Sequence, residues 1–313
     1  MIRLKWFLVY VLIATNAAAL IGQNAAPSCE NNLLHYVNYD TNELVFPNGE
    51  PLLNRFFRKL DTIVFRGEGQ VKILHFGGSH IQADIYTHQT RKKMQNITFG
   101  MNSGRGLIFP VKMAKSNNPG NFKVTYNGTW ERCLNTDRHR NCNLGATGMM
   151  VRTADSCALF SIAIDTTGDN HYPTNKIKIF HNTWNSNCEV ELIPENPYQI
   201  KSVEKFPEKG YTEILLNQYI ETFRFKVYRT DTLPQWFELY GIELLSDDPG
   251  IVYSAVGVNG ATIPAFLRCN LLEQHVGIVD PDLIIISLGT NDGYSRKFNK
   301  SYFKERYLEL IRV

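Results

Sequence analysis

The sequence lacks a strong excess of charge of either sign. Lys and Arg number 33, Asp and Glu number 30, and the net charge is +3 over 313 residues. A near-neutral chain without a basic block is not typical of nucleic-acid-binding proteins, so we expect no nucleic-acid partner. Hydrophobic residues make up 43% and charged residues 20%, which is typical of a globular protein and excludes a disordered or fibrous one. The length allows one large domain or two ordinary domains.

Cysteine is scarce, with six residues in the chain. This number excludes a dense disulfide scaffold but permits two or three bridges. The candidates are Cys133, Cys142, Cys157 and Cys188, and their connectivity cannot be read from the sequence. Cys133 and Cys142 are too far apart for a Cys-x-x-Cys zinc knuckle, and no His-x-x-x-His pair occurs. We therefore expect neither a bound metal nor another cofactor.

Long apolar runs are absent after the N-terminus. Arg3 and Lys5 precede an almost wholly apolar run over residues 6–15, and small residues follow at 17–19. This order is typical of a secretory signal peptide, predicted over residues 1–22. The run is too short to span a bilayer core of about 30 Å, although an uncleaved anchor helix is the alternative. We expect a secreted or periplasmic protein without a membrane span, in an oxidising compartment where disulfides persist.

Residues 28–117 and 247–313 have the pattern of an α/β protein. Apolar runs at 71–76 and 282–288 predict strands, and the second run is continuous, as in a parallel sheet buried on both faces. Helical spacing occurs at 84–98, 262–275 and 302–313. Asp84 is the predicted N-cap of the first of these helices.

Residues 118–246 have a different pattern, in which short β-type runs alternate with turn residues. The runs cover residues 122–126, 159–164, 176–180, 212–216, 223–228 and 236–245. Many short strands with regular turns predict a β-sandwich. Since domains insert readily at exposed loops, the simplest arrangement is a sandwich inserted into a doubly wound α/β domain.

Three motifs follow predicted parallel strands, at the sheet end where open α/β proteins place their active sites. They are Gly77–Asp84, Gly257–Thr262 and Leu288–Gly293. Each alone is weak, because Gly-rich and Asn-Asp-Gly segments are ordinary turns. Together they offer an exposed serine, a glycine N–H and an asparagine amide. Acyl transfer needs such a nucleophile, with donors for the developing oxyanion.

In these three motifs the chain resembles the SGNH (GDSL-like) hydrolase family. The resemblance implies that Ser79 is the nucleophile, and that the Ser79 N–H, the Gly260 N–H and the Asn291 amide form the oxyanion hole. It also implies a three-layer α/β/α doubly wound sheet. Ile81 stands where a Gly-x-Ser-x-Gly elbow would have its second glycine, which argues against the ordinary α/β-hydrolase fold.

Further segments look like a bacterial subgroup of this family with a β-sandwich inserted before the second motif. They are Gly104–Gly106, Tyr240–Ile242 and Tyr253–Thr262. Some members of that subgroup are peptidoglycan O-acetylesterases. The resemblance implies an exported serine esterase that removes acyl groups, O-acetyl above all, from an acetylated cell-envelope or other polysaccharide. The alternative is a non-catalytic glycan-binding protein with a degenerate SGNH fold. The sequence is silent on oligomeric state.

Two departures from the family pattern concern the site. Gly78 stands where the family usually has Asp, and the family's catalytic Asp-x-x-His block is absent after Asn291. His80 adjoins the serine, His75 lies in a predicted buried strand as a core residue, and His275 precedes the strand at 282–288. We therefore expect that the catalytic Asp and His are not in this chain, that it is a fragment of a longer protein, and that it is inactive alone.

Tryptophans of the predicted sandwich are candidates for stacking on sugar rings. They are Trp130, Trp184 and Trp236. Because tryptophan is usually well buried, we expect two of the three to be core residues.

Overall fold

The computed structural model describes most of the chain after residue 52. The described residues are 53–98, 100–167, 171–183, 187–232, 235–294 and 296–313, with Asn38, Glu43, Val45 and Phe46. The predicted signal peptide and Trp184 lie outside the described residues. Residues 51–313 form one unit, to which the following description belongs.

The described helices and strands are as follows. The helices are α1 (Asn54–Arg66), α2 (Ser79–Gln82), α3 (Tyr86–Gln95), α4 (Ile263–Leu267), α5 (Leu272–Val279), α6 (Thr290–Gly293) and α7 (Lys300–Arg312). The strands are β1 (Gln70–Gly77), β2 (Gly104–Ile108), β3 (Phe122–Tyr126), β4 (Glu131–Leu134), β5 (Met149–Thr153), β6 (Cys157–Ile164), β7 (Thr174–His181), β8 (Cys188–Leu192), β9 (Ile200–Phe206), β10 (Tyr211–Ile220), β11 (Thr222–Arg229), β12 (Phe237–Leu245), β13 (Gly250–Gly257) and β14 (Leu283–Ser287).

Three parallel strands form the sheet that carries the sequence motifs, in the order β13–β1–β14. Side chains of β1 alternate between its two faces, as in any strand. Ile73 lies in a cluster with Phe56 and Ile63 of α1, whereas the Phe76 ring lies 5.4 Å from that of Phe266 in α4. Helices thus cover both faces of β1. The full three-layer doubly wound arrangement remains a prediction.

Strand β14 is less buried than the sequence predicts. Its residues are half-buried or exposed, and Ile284 is 44% exposed. Within the described residues β14 lies at the sheet edge and pairs only with β1, so the prediction of burial on both faces is wrong.

Two antiparallel sheets lie between β1 and β13 in the chain. One has the order β4–β5–β12–β7–β10–β9, with β2 also paired to β12, and the other has the order β3–β6–β11–β8. Trp130 is buried between them, with its ring 6.1 Å from Phe160 and 6.5 Å from Phe237. All six strands expected over residues 122–245 are present, although the domain boundaries at 118 and 246 remain predictions. Strand β2 precedes residue 118 and nevertheless pairs with β12.

Two helix predictions are wrong in detail. The helix expected from Asp84 begins at Tyr86, and no side chain caps it, because the Asp84 carboxylate is bound to arginines instead. The helix expected over 262–275 is two helices, α4 and α5. Helix α7 agrees with its pattern, and the Asn299 side chain caps it by accepting a hydrogen bond from Tyr302 N.

Candidate active site

A tight turn places Ser79 at the carboxyl end of β1. Strand β1 ends at Gly77, where a Cβ atom would lie 2.0 Å from the Cγ1 of Ile81, so no side chain fits. Ser79 is the first residue of α2 and is exposed. Its N–H has no acceptor inside the helix, because the first N–H groups of a helix point away from it. The turn therefore leaves both the hydroxyl and the N–H of Ser79 available to a ligand.

The loop after β13 packs directly on this turn. A Cβ atom on Gly257 would lie 2.4 Å from Gln82 N and 2.6 Å from Gly78 O, so the two backbones touch. The Gln82 side chain then accepts a hydrogen bond from Asn259 N at 2.7 Å. Gly260 follows with a φ of 77° and is exposed. This left-handed conformation costs glycine little.

Asn291 joins these two loops. It lies in α6, after β14, and its Nδ2 donates a hydrogen bond of 2.9 Å to Ala261 O. A Cβ atom on Gly78 would lie 3.2 Å from the same Nδ2. A primary amide has two N–H bonds, and Ala261 accepts from only one of them. The second is available to a ligand beside the Ser79 turn.

Asp292 fixes the loop that carries Asn291. Its two carboxylate oxygens accept from Ile263 N, at 3.1 and 3.3 Å, at the start of α4. Partial burial raises the pKa of the Asp292 carboxyl above its usual value. Asp292 thus positions α6 against α4.

The three loops expected to converge therefore do meet at one end of the parallel sheet. The loops of Ser79 and Gly260 touch through Gly257 and Gly78, and Asn291 contacts the loop of Gly260. The roles of Ser79, Gly260 and Asn291 in catalysis remain predictions. An aspartate in place of Gly78 would bring a Cβ atom into close contact with the Asn291 amide nitrogen.

No histidine is hydrogen-bonded to Ser79 in the part of the chain that the structure describes. His80 is exposed, and its ring is stacked on that of Tyr86 at 6.1 Å. His275 is buried in α5, 4.7 Å from the ring of Phe180, and burial lowers its pKa to about 3. Neither imidazole is hydrogen-bonded to the Ser79 hydroxyl in this geometry.

A hydrogen-bonded array that the sequence pattern did not predict crosses the three parallel strands beneath the site. His75 is buried as expected, with its Nδ1 2.7 Å from the Tyr253 hydroxyl and its Nε2 2.7 Å from the Ser287 hydroxyl. Burial lowers the pKa of His75 to about 4, so the ring is neutral at neutral pH. A serine bonded to a neutral, oriented imidazole has the geometry of an activated nucleophile, which makes Ser287 a rival to Ser79. No sequence signal pairs these three residues, because they meet only through the register of three strands.

Asp84 anchors the chain just after α2. Its carboxylate accepts hydrogen bonds from Arg91 at 2.9 and 3.1 Å, from Arg105 at 2.5 Å and from Asn121 at 2.7 Å. All four side chains are buried. The two guanidinium groups hold the pKa of Asp84 well below its usual range, although burial alone would raise it.

Disulfide and tryptophan predictions are resolved in part. Cys133 and Cys142 form a bridge. Trp130 is a core residue, whereas Trp236 is 38% exposed and lies against the Arg152 guanidinium.

The described residues show neither a cluster of metal-ligating side chains nor a membrane-spanning helix. They contain no group of three or more His, Cys, Asp or Glu side chains placed to hold a metal ion. Likewise, none of the helices described is both long and apolar enough to cross a membrane.

The fold of the chain is similar to that of a protein of known structure. No protein-family model and no curated protein matches it. A solved structure of a peptidoglycan O-acetylesterase matches with a TM-score of 0.54 and 19% sequence identity, over 84% of this chain and 67% of that one. The likeness confirms the fold in its coarse form, as a mixed α/β protein of the kind seen in such an esterase. At this identity it shows the fold alone.

Proposed function

We propose that this protein is a serine ester hydrolase of the SGNH type that removes acyl groups, O-acetyl above all, from a polysaccharide. The observation that carries the proposal is the position of the Asn291 amide, which bonds the loop of Gly260 and lies against the turn of Ser79. Three loops separated in sequence thus offer a hydroxyl and several N–H donors at one sheet end. The likeness to a peptidoglycan O-acetylesterase supports the same class of substrate.

The proposed reaction uses Ser79 as the nucleophile. Its Oγ attacks the ester carbonyl carbon, and its proton passes to a base. The Ser79 N–H, the Gly260 N–H and the Asn291 amide donate to the oxyanion of the tetrahedral intermediate. Collapse releases the sugar alcohol, which takes the proton back, and leaves an acyl group on Ser79. Water then attacks this acyl-enzyme through the same base and releases the acid.

A base for Ser79 is the missing part of this scheme. In the described residues no imidazole contacts the Ser79 hydroxyl, and a serine hydroxyl without an adjacent base is a weak nucleophile. We therefore expect this chain alone to hydrolyse esters very slowly. The same observation favours the second candidate, a glycan-binding protein that keeps the fold without catalysis.

Imidazole rescue tests the proposal. The 313-residue chain, or its form beginning at residue 23, is incubated with an aryl acetate over a range of imidazole concentrations. Free imidazole cleaves aryl acetates by itself, so the Ser79→Ala variant supplies the background. The proposal predicts a saturable excess over this background, which Ser287→Ala retains. A rate equal to that of Ser79→Ala at every concentration would contradict it and favour the binding protein.

Export to the periplasm or the cell exterior belongs to the same proposal. It rests on the signal-like residues 1–22, and on a polysaccharide substrate that would lie outside the cytoplasm. N-terminal sequencing of the protein from an expressing culture would show whether these residues are removed.

A further inference from the structure

Two clefts are lined in part by the loop that the Cys133–Cys142 bridge closes. The first, here named the Glu131 cleft, has a volume of about 460 Å³. Its basic lining residues are Lys115, Arg132, Arg140 and Arg152. Glu131 is the one acidic side chain among its described lining residues. This cleft is therefore strongly basic in a protein whose net charge is only +3.

The second cleft, here named the Asn291 cleft, has a volume of about 400 Å³ and includes Asn291 and Asp292 of the candidate active site. Its basic lining residues are Arg138, Arg268, Lys297 and Arg306. Among the lining residues described, only Asp292 is acidic. Both clefts are as large as typical ligand sites.

Part of this positive charge is neutralised and part is not. Arg152 pairs with Glu131 at 2.8 Å, and Arg306 pairs with Glu305 and Glu309. Four exposed cations form no ion pair within the described residues: Lys115, Arg138, Arg140 and Arg268. Two of these cations line each cleft, so both clefts carry positive charge that no described side chain neutralises.

The loop that contributes to both clefts is held in place by contacts within the protein. The disulfide closes it, and Arg268 donates a hydrogen bond to Asn135 O from the neighbouring segment. Within the loop, Leu134 N donates to the Asp137 carboxylate at 3.1 Å. Arg138 and Arg140 are therefore exposed side chains of a braced loop, and Arg140 donates a hydrogen bond to Arg132 O within it. Such preorganisation lowers the entropy lost when a ligand binds.

We propose that the two clefts bind a carboxylate-bearing polysaccharide and lay it across the site of Ser79 and Asn291. The inference rests on the proposed function, since it names the substrate class of that site. Guanidinium groups match carboxylates in geometry and charge. The Asn291 cleft also presents the rings of Phe298 and Tyr302, which are about half exposed and suit the apolar faces of sugar rings.

The test measures binding without catalysis. The Ser79→Ala variant of the chain is titrated with a hexamer of polygalacturonic acid, and separately with the same hexamer fully methyl-esterified, which is neutral. We expect binding of the acid at least tenfold tighter than that of the ester at 50 mM NaCl. The preference should fall several-fold at 500 mM NaCl, where exposed charges are screened.

Variants locate the binding surface. Arg138→Gln, which breaks no described contact, should weaken binding of the acidic hexamer about threefold to fivefold, as loss of one exposed ion pair does. The combined Lys115, Arg138, Arg140 and Arg268 variant to Gln should weaken it more than 30-fold by the same reasoning. Arg55→Gln and Lys201→Gln remove exposed cations outside both clefts and should leave it unchanged. Circular dichroism checks the fold of each variant. If the combined variant is unfolded, the Arg138→Gln variant alone tests the binding surface.

Three results would overturn the inference. They are equal binding of the acid and its methyl ester, unchanged binding by the Arg138→Gln variant, and equally tight binding of a single-stranded DNA hexamer. None of these bears on Ser79, so the proposed hydrolase would survive them. Conversely, tight cleft-dependent binding without any Ser79-dependent turnover would support this inference and end the hydrolase proposal.

Discussion

The Asp84 carboxylate helps to hold the candidate site in place. It binds two buried arginines that belong to α3 and β2, and it lies two residues after α2, which carries Ser79 at its start. Burying two guanidinium groups is costly unless an anion accompanies them. The single negative charge of Asp84 therefore keeps both arginines, and the turn that carries Ser79, in one arrangement.

Replacing Asp84 tests this role. Asp84→Asn leaves the two buried guanidinium groups without their carboxylate, so the free energy of unfolding at pH 7 should fall by about 3–5 kcal/mol. Urea denaturation measures this, with the exposed Asp61→Asn as the matched control, expected within about 0.5 kcal/mol of wild type. A loss below about 1 kcal/mol would show that the arginines are accommodated without Asp84.

Asp84 also makes the free energy of unfolding depend on pH, in a direction that its lowered pKa determines. The pKa of Asp84 is lower in the folded protein than in the unfolded chain, so folding favours the ionised carboxylate. Its stabilisation is complete above an unfolded pKa of about 4 and is lost as the pH falls below that value. The Asp84→Asn variant lacks this contribution, so its deficit relative to wild type should shrink below pH 4.

At the residue scale, the sequence predicted Ser79, Gly260 and Asn291 as neighbours, and the structure brings their loops together. The position of each residue shortly after an apolar strand was sufficient for this prediction. The partners of His75 were not predictable, because Tyr253 and Ser287 reach it only through the register of two other strands. Asp84 was assigned as a cap because its arginine partners, seven and 21 residues away, cannot be paired from sequence.

At the scale of elements, α2 is held in place by backbone contact with the end of β13. Gly257 has no room for a side chain there, since its Cβ would lie 2.4 Å from Gln82 N. Atoms of the backbone cannot rotate away as a side chain can, so α2 itself would have to move. The position of Ser79 therefore depends on the absence of a side chain at residue 257.

Two alanine substitutions separate this effect from the general cost of changing a glycine. Gly257→Ala should lower the free energy of unfolding by about 1–3 kcal/mol, as overpacking does, and should reduce Ser79-dependent, imidazole-assisted turnover. Gly277→Ala lies inside α5 with no atom near its Cβ, so it should be neutral or stabilising by up to about 1 kcal/mol. Urea denaturation and the aryl acetate assay provide both readouts. Equal effects of the two substitutions would contradict the close contact.

Prediction of elements succeeded where apolar periodicity was strong. Strands such as β3 and β11 alternate buried and exposed residues, and their bounds agree with the sequence pattern within a residue or two. Strand β9 was missed because most of its residues are exposed or polar, so no alternation marks it. The helix predicted over 262–275 was divided because Cys269 and Leu272 turn the chain between α4 and α5.

At the scale of the whole molecule, three histidines that are buried in the described part of the chain make the free energy of unfolding depend on pH. Burial lowers the pKa of His75 to about 4 and those of His181 and His275 to about 3. Each is neutral in the folded protein and titrates near pH 6.5 when unfolded. Their contribution is therefore complete above about pH 6.5 and is lost as the pH falls toward 4.

The predicted change in the free energy of unfolding with pH is steep. At pH 5 unfolding should take up about one proton per buried histidine, so stability should fall by about 4 kcal/mol per pH unit between pH 6 and 5. The His275→Gln variant should lose about one third of this slope, whatever its stability at pH 7, and the exposed His139→Gln should keep all of it. Urea denaturation from pH 7.5 to 5 measures the slope. A flat profile would mean that these histidines are not buried as described.

The central claim is that the three loops form an acyl-transfer site whose nucleophile is Ser79. A fluorophosphonate forms a stable adduct with an activated serine, and its phosphoryl oxygen occupies the position of the oxyanion. The decisive measurement is peptide mass spectrometry of the chain after reaction with such a reagent, with imidazole as the external base. We predict one adduct, on Ser79, whose rate of formation falls about 10²–10³-fold in Asn291→Ala and is unchanged in Ser287→Ala. An adduct on Ser287, or labelling of Ser79 that is indifferent to Asn291, would contradict the account.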